Sequence, residues 1–542
     1  MGRLGRYFQT LRHLRPRQLW FQAMRRIARP KVDTSPAPPL RRGAAGGWIV
    51  PARREASLAG PHTMRFLGRT GTIDELGWGG PGASQLWRYN QHYFDDLAAV
   101  GAADRSDWHR GQLSRWMADN PPASRPGWDP YPTSLRLVNW IKWLLSGAEP
   151  VTGMAQSMAI QARFLAANLE YHVLGNHLLA NAKALMFAGT VFEGREAAGW
   201  LQLGLRIWTR ELAEQVLPDG GNYERSPMYH ALGLEDLLDL VNLAQARPGS
   251  IEPGIAAEWR QTAAAMRFWL DAMCHPDGEI AQFNDAAIGI APSPTELGRY
   301  ADAVDIGSVA GAGVQLVGDG IVHLRDSGYV RAERGDAILL CDIAPLGPDY
   351  LPAHGHADTL SFELSVGGRR VIVNGGTSHY EPGPERVAER GTAAHSTVTV
   401  VGENSSEVWS SFRVARRAHP FDISVHVDNG DAMIAASHDG YRRLAGSPVH
   451  RRTWRLGDCS LAVADTVEPE RPGVARFIAH PAMAAEEGSD GSARIGPVQI
   501  AATGGRLKLA PAAHSARFGD RRPTQAVCVE LQRGRSNVSL TW

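Results

Sequence analysis

Cysteine is scarce in this chain, and no two cysteines lie close together in the sequence. Among 542 residues there are four, namely Cys274, Cys341, Cys459 and Cys528. Because no CxxC pair occurs, we expect neither a disulfide framework nor a zinc site built from cysteines. The sequence instead predicts free thiols that are buried in the protein interior.

Long apolar runs and a large net charge are missing as well. No segment reaches the ~18 consecutive apolar residues of a membrane-spanning helix, so no transmembrane segment is predicted. The formal net charge is +1, which excludes a general electrostatic attraction to nucleic acid. An acidic ligand would therefore have to be bound by a local cluster of basic residues.

The amino-terminal segment is basic but has no apolar core of the kind found in signal peptides. Residues 1–31 alternate arginines with Leu11, Leu14, Leu19, Trp20 and Met24. That pattern predicts an amphipathic helix packed on the body of the protein or, as the alternative, one lying on a membrane surface. Without a recognisable signal peptide, the sequence favours a cytoplasmic location, with the periplasm or the cell envelope as the alternative.

The sequence changes once from a helical to a strand-like pattern, near residue 312. Residues 1–47 form a basic segment that ends in a linker rich in Pro, Arg and Gly. Within residues 48–311, apolar residues recur at helical spacing in the runs 134–145, 158–169, 177–191, 201–216, 232–244 and 256–273. Serial helices joined by short turns predict helical hairpins that stack in a ring or an array.

Residues 312–542 carry short strand-like runs separated by Gly and Asp-Gly turns. The run 359–366, TLSFELSV, alternates polar and apolar residues strictly, which predicts a half-buried strand. Further strands are predicted at 337–343, 370–373, 397–401, 433–436, 460–464 and 527–531. Helices first and strands afterwards predict an α+β protein of two domains and not an alternating α/β fold.

Asn176 and His177 follow a glycine and precede a helical run. Their side chains are therefore expected at the start of a helix, where backbone amides and the helix dipole favour an anion. Asparagine is also a common helix cap, so a purely structural role is the alternative.

The loop 219–230, DGGNYERSPMYH, places Tyr223, Glu224, Arg225, Tyr229 and His230 between two helical runs. Bulky aromatic residues are unusual in such a Gly- and Pro-rich loop unless they face a cleft. A tyrosine beside an arginine is expected to have a lowered phenolic pKa, which would allow it to act as a base. The alternative is a tyrosine that only packs the loop.

The sequence HGHAD opens the alternating run with two histidines, His354 and His356. In an extended chain, residues at positions i and i+2 project to the same side. That arrangement suits a metal, or one catalytic histidine beside one metal ligand. Asn374 and His395 flank later strands and are expected to approach His356 across a sheet. The alternative is a hydrogen-bonded polar cluster that holds the loops together.

Aromatic and basic residues cluster in the helical half. Flat rings stack on sugar faces, and arginine binds carboxylate or sulfate in a bidentate manner. We therefore expect a glycan to contact Asn90, Arg136 and Trp140, together with Tyr223 and Arg225 of the loop. Aromatic residues on helices more often belong to the core, so only a minority of the cluster is expected in contact.

Seven motifs occur in a fixed order between Trp87 and Arg417. They read RYNQHYFDDL, WDPYPTSLRLVNWIKWLL, GNHLLANAKALMFAG, PDGGNYERSPMYH, QFNDA, HGHADTLSFEL and RGTAAHSTVTV. Together they resemble the heparinase II/III-like family of polysaccharide lyases, whose architecture is shared with some alginate lyases. The resemblance implies an incomplete (α/α) toroid for residues 48–311, an antiparallel β-sandwich for residues 312–542, and a cleft between them.

The resemblance also implies that the substrate is an acidic polysaccharide, cleaved by β-elimination at a uronic acid. Asn176 and His177 match the pair that neutralises the uronate carboxylate. Tyr229 and His354 match the catalytic tyrosine and histidine. One of these is the base for carbon 5 and the other the acid for the oxygen on carbon 4, and the sequence leaves the assignment open.

The resemblance further implies one structural divalent metal, most simply zinc, and no organic cofactor. His356 and His395 match metal-liganding positions. Asn374 stands where some relatives carry an aspartate ligand, and this departure weakens the case for a tightly held zinc, since asparagine is an uncommon ligand for a transition metal.

Two other functions are the alternatives. A hydrolase on a similar toroid needs two carboxylates that flank the scissile bond, and its candidates Glu224, Asp236 and Asp285 form no paired motif. A glycan-binding protein of the same fold without catalysis would need neither an acid nor a base. The resemblance and the absent secretion signal together favour a lyase that acts in bacterial surface or exopolysaccharide metabolism.

Overall fold

The structure is a computed structural model that describes residues 3–27, 31–41 and 46–542. The helical half contains a two-stranded hairpin of β1 (Thr63–Phe66) and β2 (Arg69–Thr72). Its helices are α1 (Arg3–Leu11), α2 (Pro16–Ile27), α3 (Ile73–Leu76), α4 (Gln85–Asn90), α5 (Ser106–Asp119), α6 (Pro130–Leu145), α7 (Met154–Ala167), α8 (Gly175–Val191), α9 (Gly194–Gln215), α10 (Pro227–Ala246), α11 (Pro253–Ala272) and α12 (Pro294–Ala303).

The six helical runs predicted from periodicity are confirmed as α6 to α11, although each helix begins two to seven residues earlier. Proline explains part of the difference. Pro130, Pro227 and Pro253 lie in the first turns of their helices, where a missing amide hydrogen costs nothing. The spacing of apolar residues does not reveal where such a helix begins, because the residues of its first turn need not face the core.

The β half follows. Its elements are β3 (Val314–Leu316), β4 (Ile321–Leu324), β5 (Tyr329–Arg334), β6 (Ala337–Asp342), β7 (Phe362–Val366), β8 (Arg369–Val373), α13 (Pro384–Glu389), β9 (Val398–Val400), β10 (Val408–Trp409), β11 (Arg413–Val414), β12 (Pro420–Asp428), β13 (Asp431–His438), β14 (Val449–Gly457), β15 (Ser460–Glu468), β16 (Gly473–Ala479), β17 (Ala485–Glu487), β18 (Ala493–Ile495), β19 (Val498–Thr503), β20 (Gly505–Arg517), β21 (Asp520–Leu531) and β22 (Arg535–Thr541).

These strands form two large antiparallel sheets. The ten-stranded sheet has the order β20-β21-β16-β8-β7-β6-β5-β4-β3, with β9 also paired to β16. The eight-stranded sheet has the order β12-β13-β14-β15-β22-β19-β18-β17. Leu339 and Phe362 of the first sheet share one apolar core with Trp454 and Val463 of the second. The predicted sandwich is therefore confirmed.

Strand β7 is buried on both faces, which corrects the prediction of a half-buried strand. Its apolar residues, Phe362 and Leu364, belong to the core of the sandwich. Its polar residues instead bind His275, which follows α11: Nε2 lies 2.8 Å from Glu363 Oε2, and Nδ1 lies 2.8 Å from Ser365 Oγ. The polar face of the strand thus forms the boundary with the helical half instead of facing solvent.

The amino-terminal helices pack on the body of the protein, as predicted, but as two helices that touch both halves. Thr10 Oγ1 donates to the carbonyl of Val414 at 3.1 Å and accepts from Trp409 Nε1 at 3.2 Å. On the other side, Arg15 pairs with Glu214 of α9. Residues 1–2, 28–30 and 42–45, which include parts of the predicted linker, lie outside the described residues.

Within the described ranges, no helix combines the length and the apolar character that crossing a membrane requires. All four cysteines are free thiols. Cys341 and Cys528 are buried and Cys274 is partly buried, but Cys459 is exposed, because it lies in the turn between β14 and β15. The expectation of buried thiols is therefore wrong for that residue.

Candidate active site

A cleft of about 1560 Å³ runs between the helical half, the amino-terminal helices and the β half. Five of the site residues predicted from the sequence line it. Asn90, Asn176, His177 and Tyr229 come from the helical half, and His354 comes from the β half. The structure thus brings together residues that are far apart in the sequence, since Asn90 and His354 are separated by 264 positions.

His354 and Tyr229 meet across the boundary between the two halves. Their rings are stacked, with centroids 3.8 Å apart and planes inclined by 18°. His354 Nδ1 lies 2.6 Å from Oε2 of Glu224, a buried carboxylate in the loop before α10. When Nδ1–H donates to that carboxylate, the neutral imidazole keeps Nε2 free of a proton. The site therefore contains a carboxylate–histidine pair beside a tyrosine.

Tyr380 belongs to the same cluster and was not found by sequence reasoning. Its hydroxyl oxygen lies 3.1 Å from that of Tyr229, and its ring is stacked near His354 with centroids 6.3 Å apart. It follows β8 in the segment GGTSHYEPG. An aromatic residue in a Gly-rich loop is the same signal that singled out Tyr229, so the sequence contained the information needed to find it.

Burial raises the pKa of Tyr229 well above its ordinary value, and the neighbouring Tyr380 adds to the effect. This corrects the expectation of a phenolic pKa lowered by an arginine. Arg225 is turned away from the ring, because its Nε donates to the carbonyl of Ser327 at 2.9 Å. Tyr229 is therefore protonated at neutral pH, which suits a proton donor.

Helix α8 begins at the cleft without a side-chain cap. Its N-cap residue is Leu174, with φ +68°, so Asn176 does not cap the helix and the structural alternative is wrong. His177 Nδ1 lies 3.1 Å from Oε1 of Glu170, and its ring lies 4.3 Å from that of Tyr131. Burial alone would raise the pKa of Glu170, but the contact with His177 lowers it overall. Glu170 is thus a carboxylate that orients the His177 ring.

Gly175 places the start of α8 directly against Glu224. Its φ is +58°, and a Cβ atom added there would lie 3.2 Å from Glu224 Oε1 and 2.7 Å from Leu351 Cδ2. Glycine is the residue that adopts this φ without strain and leaves room for both neighbours. The start of α8 and the Glu224–His354 pair are therefore held in one fixed arrangement.

Three arginines line the cleft without an ion pair to any residue that the structure describes. They are Arg26 of α2, Arg65 of β1 and Arg413 of β11. The basic residue Lys183, in contrast, binds Asp236 at 2.7 Å and is neutralised. These arginines place positive charge along the cleft, which an acidic ligand needs in a chain of almost no net charge.

Arg136 and Trp140 do not reach the cleft, so their prediction as glycan contacts is wrong. Both side chains are fully buried in the helical half. The Arg136 guanidinium donates to the carbonyl of Gly127 at 2.7 Å and to Gln161 Oε1 at 3.0 Å, and it lies 3.8 Å from the Trp116 ring centroid. These contacts occupy the N–H donors of the guanidinium inside the core, so the side chain cannot bind a ligand in the cleft.

The predicted glycan contacts of Tyr223 and Arg225 are wrong for a similar reason. Tyr223 is buried beside Tyr350, with ring centroids 6.5 Å apart, and neither Tyr223 nor Arg225 lines the cleft. The Arg225 guanidinium donates to the backbone carbonyls of Ser327 and Tyr223. The loop 219–230 does face the cleft, but through Asn222, Glu224 and Tyr229.

His354 and His356 lie in a loop before β7 and face different surroundings, so the expectation of one shared side is wrong. His356 is fully buried, and its Nε2 lies 2.8 Å from Asp285 Oδ1. Its Nδ1 lies 3.3 Å from His395 Nε2, a spacing that two nitrogen ligands of one zinc would have.

Asn374, the third predicted metal ligand, is already engaged in a hydrogen bond. Asn374 Oδ1 accepts a hydrogen bond from the Ser396 amide at 3.1 Å. No group of three or more His, Cys, Asp or Glu side chains in the described part of the chain is placed to hold a metal ion. The residues present therefore fit a tightly held zinc poorly. They match the alternative prediction of a hydrogen-bonded polar cluster, and no chemical step is assigned to a metal.

Two family descriptions cover most of the chain. Residues 85–296 match the heparinase II/III N-terminus, and residues 318–542 match the heparinase II/III-like C-terminal domain. A helical half, a β-sandwich and a cleft between them define the class, and the chain belongs to the heparinase II/III-like family.

Individual relatives share part of this sequence. A heparin-sulfate lyase from Pedobacter heparinus is 24% identical over 264 residues, which are 45% of this chain and 38% of the relative. A heparin-sulfate lyase from Bacteroides stercoris is 26% identical over 255 residues, which are 44% of this chain and 38% of the relative. The matched region thus spans less than two fifths of the length of these relatives.

Solved structures agree with the fold over a longer stretch. A crystal structure of heparinase III has a TM-score of 0.64 and 16% sequence identity, and the match covers 84% of this chain and 76% of that one. A mutant heparan sulfate lyase from Pedobacter heparinus has a TM-score of 0.57 and 17% sequence identity. The match covers 97% of this chain and 87% of that one. These likenesses confirm the predicted toroid followed by an antiparallel β domain.

Proposed function

We propose that this protein is a polysaccharide lyase that cleaves an acidic, uronate-containing polysaccharide by β-elimination. The observation that carries the proposal is the stack of His354 on Tyr229, with Glu224 bound to the histidine, in one cleft with Asn176 and His177. The family and the names of the relatives support the same class of reaction.

His354 removes the proton on carbon 5 of the uronate through Nε2. Glu224 holds Nδ1–H and stabilises the imidazolium that forms. Tyr229, which burial keeps protonated, gives its proton to the oxygen on carbon 4 as the bond between that carbon and oxygen breaks. A double bond forms between carbons 4 and 5. Transfer of a proton from the imidazolium to the phenolate, through water, restores both groups.

Negative charge builds up on the uronate carboxylate while the proton on carbon 5 is removed. Asn176 offers an amide donor at the start of α8, where the helix dipole also favours negative charge. His177, whose Nδ1–H is held by Glu170, donates to the carboxylate through Nε2 when the ring carries both protons. Tyr380 fixes the hydroxyl of Tyr229 through the contact between the two hydroxyl groups.

The substrate carries further acidic groups next to the uronate that is cleaved. Arg26, Arg65 and Arg413 suit carboxylate as well as sulfate, because a guanidinium binds both in a bidentate manner. Acidic polysaccharides of bacterial surfaces therefore belong among the substrates to be tested, beside heparan sulfate.

Hydrolysis is disfavoured by the positions of the acidic residues. Asp285 is fully buried and binds the Arg386 guanidinium through both oxygens, at 2.5 and 2.6 Å. Asp236 is held by Lys183. Glu224 is therefore left without a second free carboxylate among these candidates, whereas a hydrolase needs two.

The test measures the ultraviolet absorbance of an unsaturated uronate while the protein acts on heparan sulfate, heparin, hyaluronan, alginate and acidic bacterial exopolysaccharides. On the accepted substrate, we expect His354→Ala and Tyr229→Phe each to lower kcat by about 10²–10⁴-fold. Tyr441→Phe is the matched control, because this buried tyrosine donates to the carbonyl of Val398 away from the cleft. New reducing ends without absorbance would refute the proposal, as would full activity of both cleft variants.

A further inference from the structure

Exposed apolar side chains are concentrated in the two amino-terminal helices. In the part of the chain that the structure describes, fifteen large apolar side chains are exposed, and seven of them belong to α1 and α2. These seven are Leu4, Phe8, Leu11, Leu19, Trp20, Met24 and Ile27. Two short helices therefore carry almost half of the large apolar side chains that are exposed in the described ranges.

The exposed residues form a stripe on each helix. Leu4, Phe8 and Leu11 are spaced i, i+4 and i+7 along α1 and so share one face. Trp20, Met24 and Ile27 have the same spacing along α2. Phe8, Trp20 and Ile27 are 66%, 63% and 78% exposed, so these stripes are not the faces that attach the helices to the body.

Other faces of the same helices make the attachment. In α1, the Tyr7 ring lies 4.9 Å from the Trp409 ring. In α2, Gln18 Nε2 donates to the carbonyl of Tyr350 at 3.3 Å, and the Arg17 guanidinium lies over the Tyr171 ring. Both helices are thus fixed to the protein and still present an apolar stripe outward.

The segment is also the most one-sided in charge. Residues 1–32 contain nine Lys and Arg residues and no Asp or Glu, whereas the whole chain has a net charge of +1. Apolar and aromatic side chains interleaved with arginines on a short helix are typical of helices that lie in a membrane interface. Arginine can keep its charged group at the lipid headgroups while its stem lies along apolar surface.

We infer that α1 and α2 dock the protein on the surface of a lipid bilayer that carries anionic headgroups. The helices lie in the plane of the interface, with Phe8, Trp20 and Ile27 inserted at the boundary of the acyl chains. A second copy of this chain is a poorer occupant, because it would bring the same basic residues together. An acidic glycan would neutralise the arginines but would leave the apolar stripes exposed to water.

Docking has a consequence for the cleft. It is lined by Tyr7, Thr10 and Leu11 of α1, where Leu11 ends the apolar stripe, and by Gln18, Gln22 and Arg26 of α2. A bilayer bound to the outer faces therefore lies one helix away from the substrate path. This position suits a polysaccharide that is itself held at a membrane, and it adds a site of action to the reaction proposed above.

The test is co-sedimentation of the full chain with vesicles of phosphatidylcholine mixed with phosphatidylglycerol, and with vesicles of phosphatidylcholine alone. We expect binding to the mixed vesicles to be about 10-fold tighter or more. The triple variant Phe8→Ser, Trp20→Ser, Ile27→Ser is expected to bind the mixed vesicles at least about 10-fold more weakly. None of these three residues lines the cleft, so lyase activity on a soluble polysaccharide stays unchanged.

A matched control removes exposed apolar side chains elsewhere. Val309, Leu316 and Ile423 are 59%, 66% and 44% exposed and lie outside the amino-terminal helices. Their triple replacement by Ser is expected to leave vesicle binding unchanged. Circular dichroism checks that both triple variants are folded.

Three outcomes would overturn the inference. The first is that the wild type does not sediment with the mixed vesicles. The second is that both triple variants bind as well as the wild type. The third is that light scattering shows a dimer for the wild type and a monomer for the variant of Phe8, Trp20 and Ile27, without vesicle binding, which would assign the stripes to contact between copies.

Discussion

The surroundings of Tyr229 and His354 assign their roles in the proposed reaction. Tyr229 is almost completely buried, and desolvation disfavours its phenolate. His354 is bound to Glu224, a carboxylate that can stabilise the charge formed when the imidazole takes up a proton. At the scale of single residues, burial therefore favours the tyrosine as the acid, and the contact with the Glu224 carboxylate favours the histidine as the base.

This assignment predicts the pH dependence of the reaction. An acid must be protonated, and a pKa raised above the ordinary 10.0 of tyrosine extends the protonated range of Tyr229 to higher pH. We therefore expect kcat to stay level on the alkaline side up to about pH 10. Initial rates across the pH range, with circular dichroism at each pH, test this expectation. A fall in kcat well below pH 10 in a folded enzyme would contradict it.

The four residues to which the resemblance assigns a catalytic role all line the cleft, whereas of the five expected glycan contacts only Asn90 does. Asn176, His177, Tyr229 and His354 were identified from motifs, and all four line the cleft. Arg136 was identified because arginine binds acidic groups. Its position along α6 fits a buried face as well as a cleft face. Its hydrogen-bond partners, Gln161 and Gly127, lie outside α6, so the local pattern could not reveal them.

At the scale of elements, the start of α8 is the most constrained part of the site. Gly175→Ala combines a positive φ with a Cβ atom close to Glu224 and Leu351. We expect the variant to lose about 1–3 kcal/mol of unfolding free energy and to lower kcat, because Leu351 and Glu224, the partner of His354, must shift to admit the added Cβ atom.

The matched control for this variant is Gly194→Ala at the start of α9. Gly194 has φ +92°, but nothing lies within 4 Å of an added Cβ atom. It therefore reports the cost of the backbone strain without the crowding. Chemical denaturation and steady-state kinetics of both variants give the comparison. Equal kcat values for the two would show that crowding at Gly175 does not matter to the site.

Strand β7 shows why element predictions reach only part of the fold. Its alternating sequence predicts a strand correctly, but alternation alone reports two chemically different faces and not what covers each of them. The polar face is covered by the helical half, through His275. Such a contact depends on residues about ninety positions apart, and no local pattern records it.

At the scale of the whole molecule, both halves bury neutral histidines. Burial lowers the pKa of His92 and His230 to about 3, and that of His514 to about 4, from the ordinary 6.5. Between these values and 6.5 the unfolded chain binds more protons than the folded chain. The unfolding free energy therefore falls as pH decreases through this window, and the stability these groups contribute is fully present only above pH 6.5.

We expect each of these histidines to cost about 2 kcal/mol of stability between pH 6.5 and about pH 5. Scanning calorimetry across this range measures the loss as a falling Tm. His92→Gln is expected to be less stable at neutral pH and to lose less on acidification. A Tm independent of pH in this window would contradict the account.

The mass and the ultraviolet absorbance of the cleavage products test the central claim most directly. If His354 and Tyr229 perform β-elimination, each cut yields one product that absorbs as an unsaturated uronate, and the product masses sum to that of the substrate. Products without this absorbance, whose masses sum to the substrate plus one water for each cut, would identify a hydrolase and contradict the account.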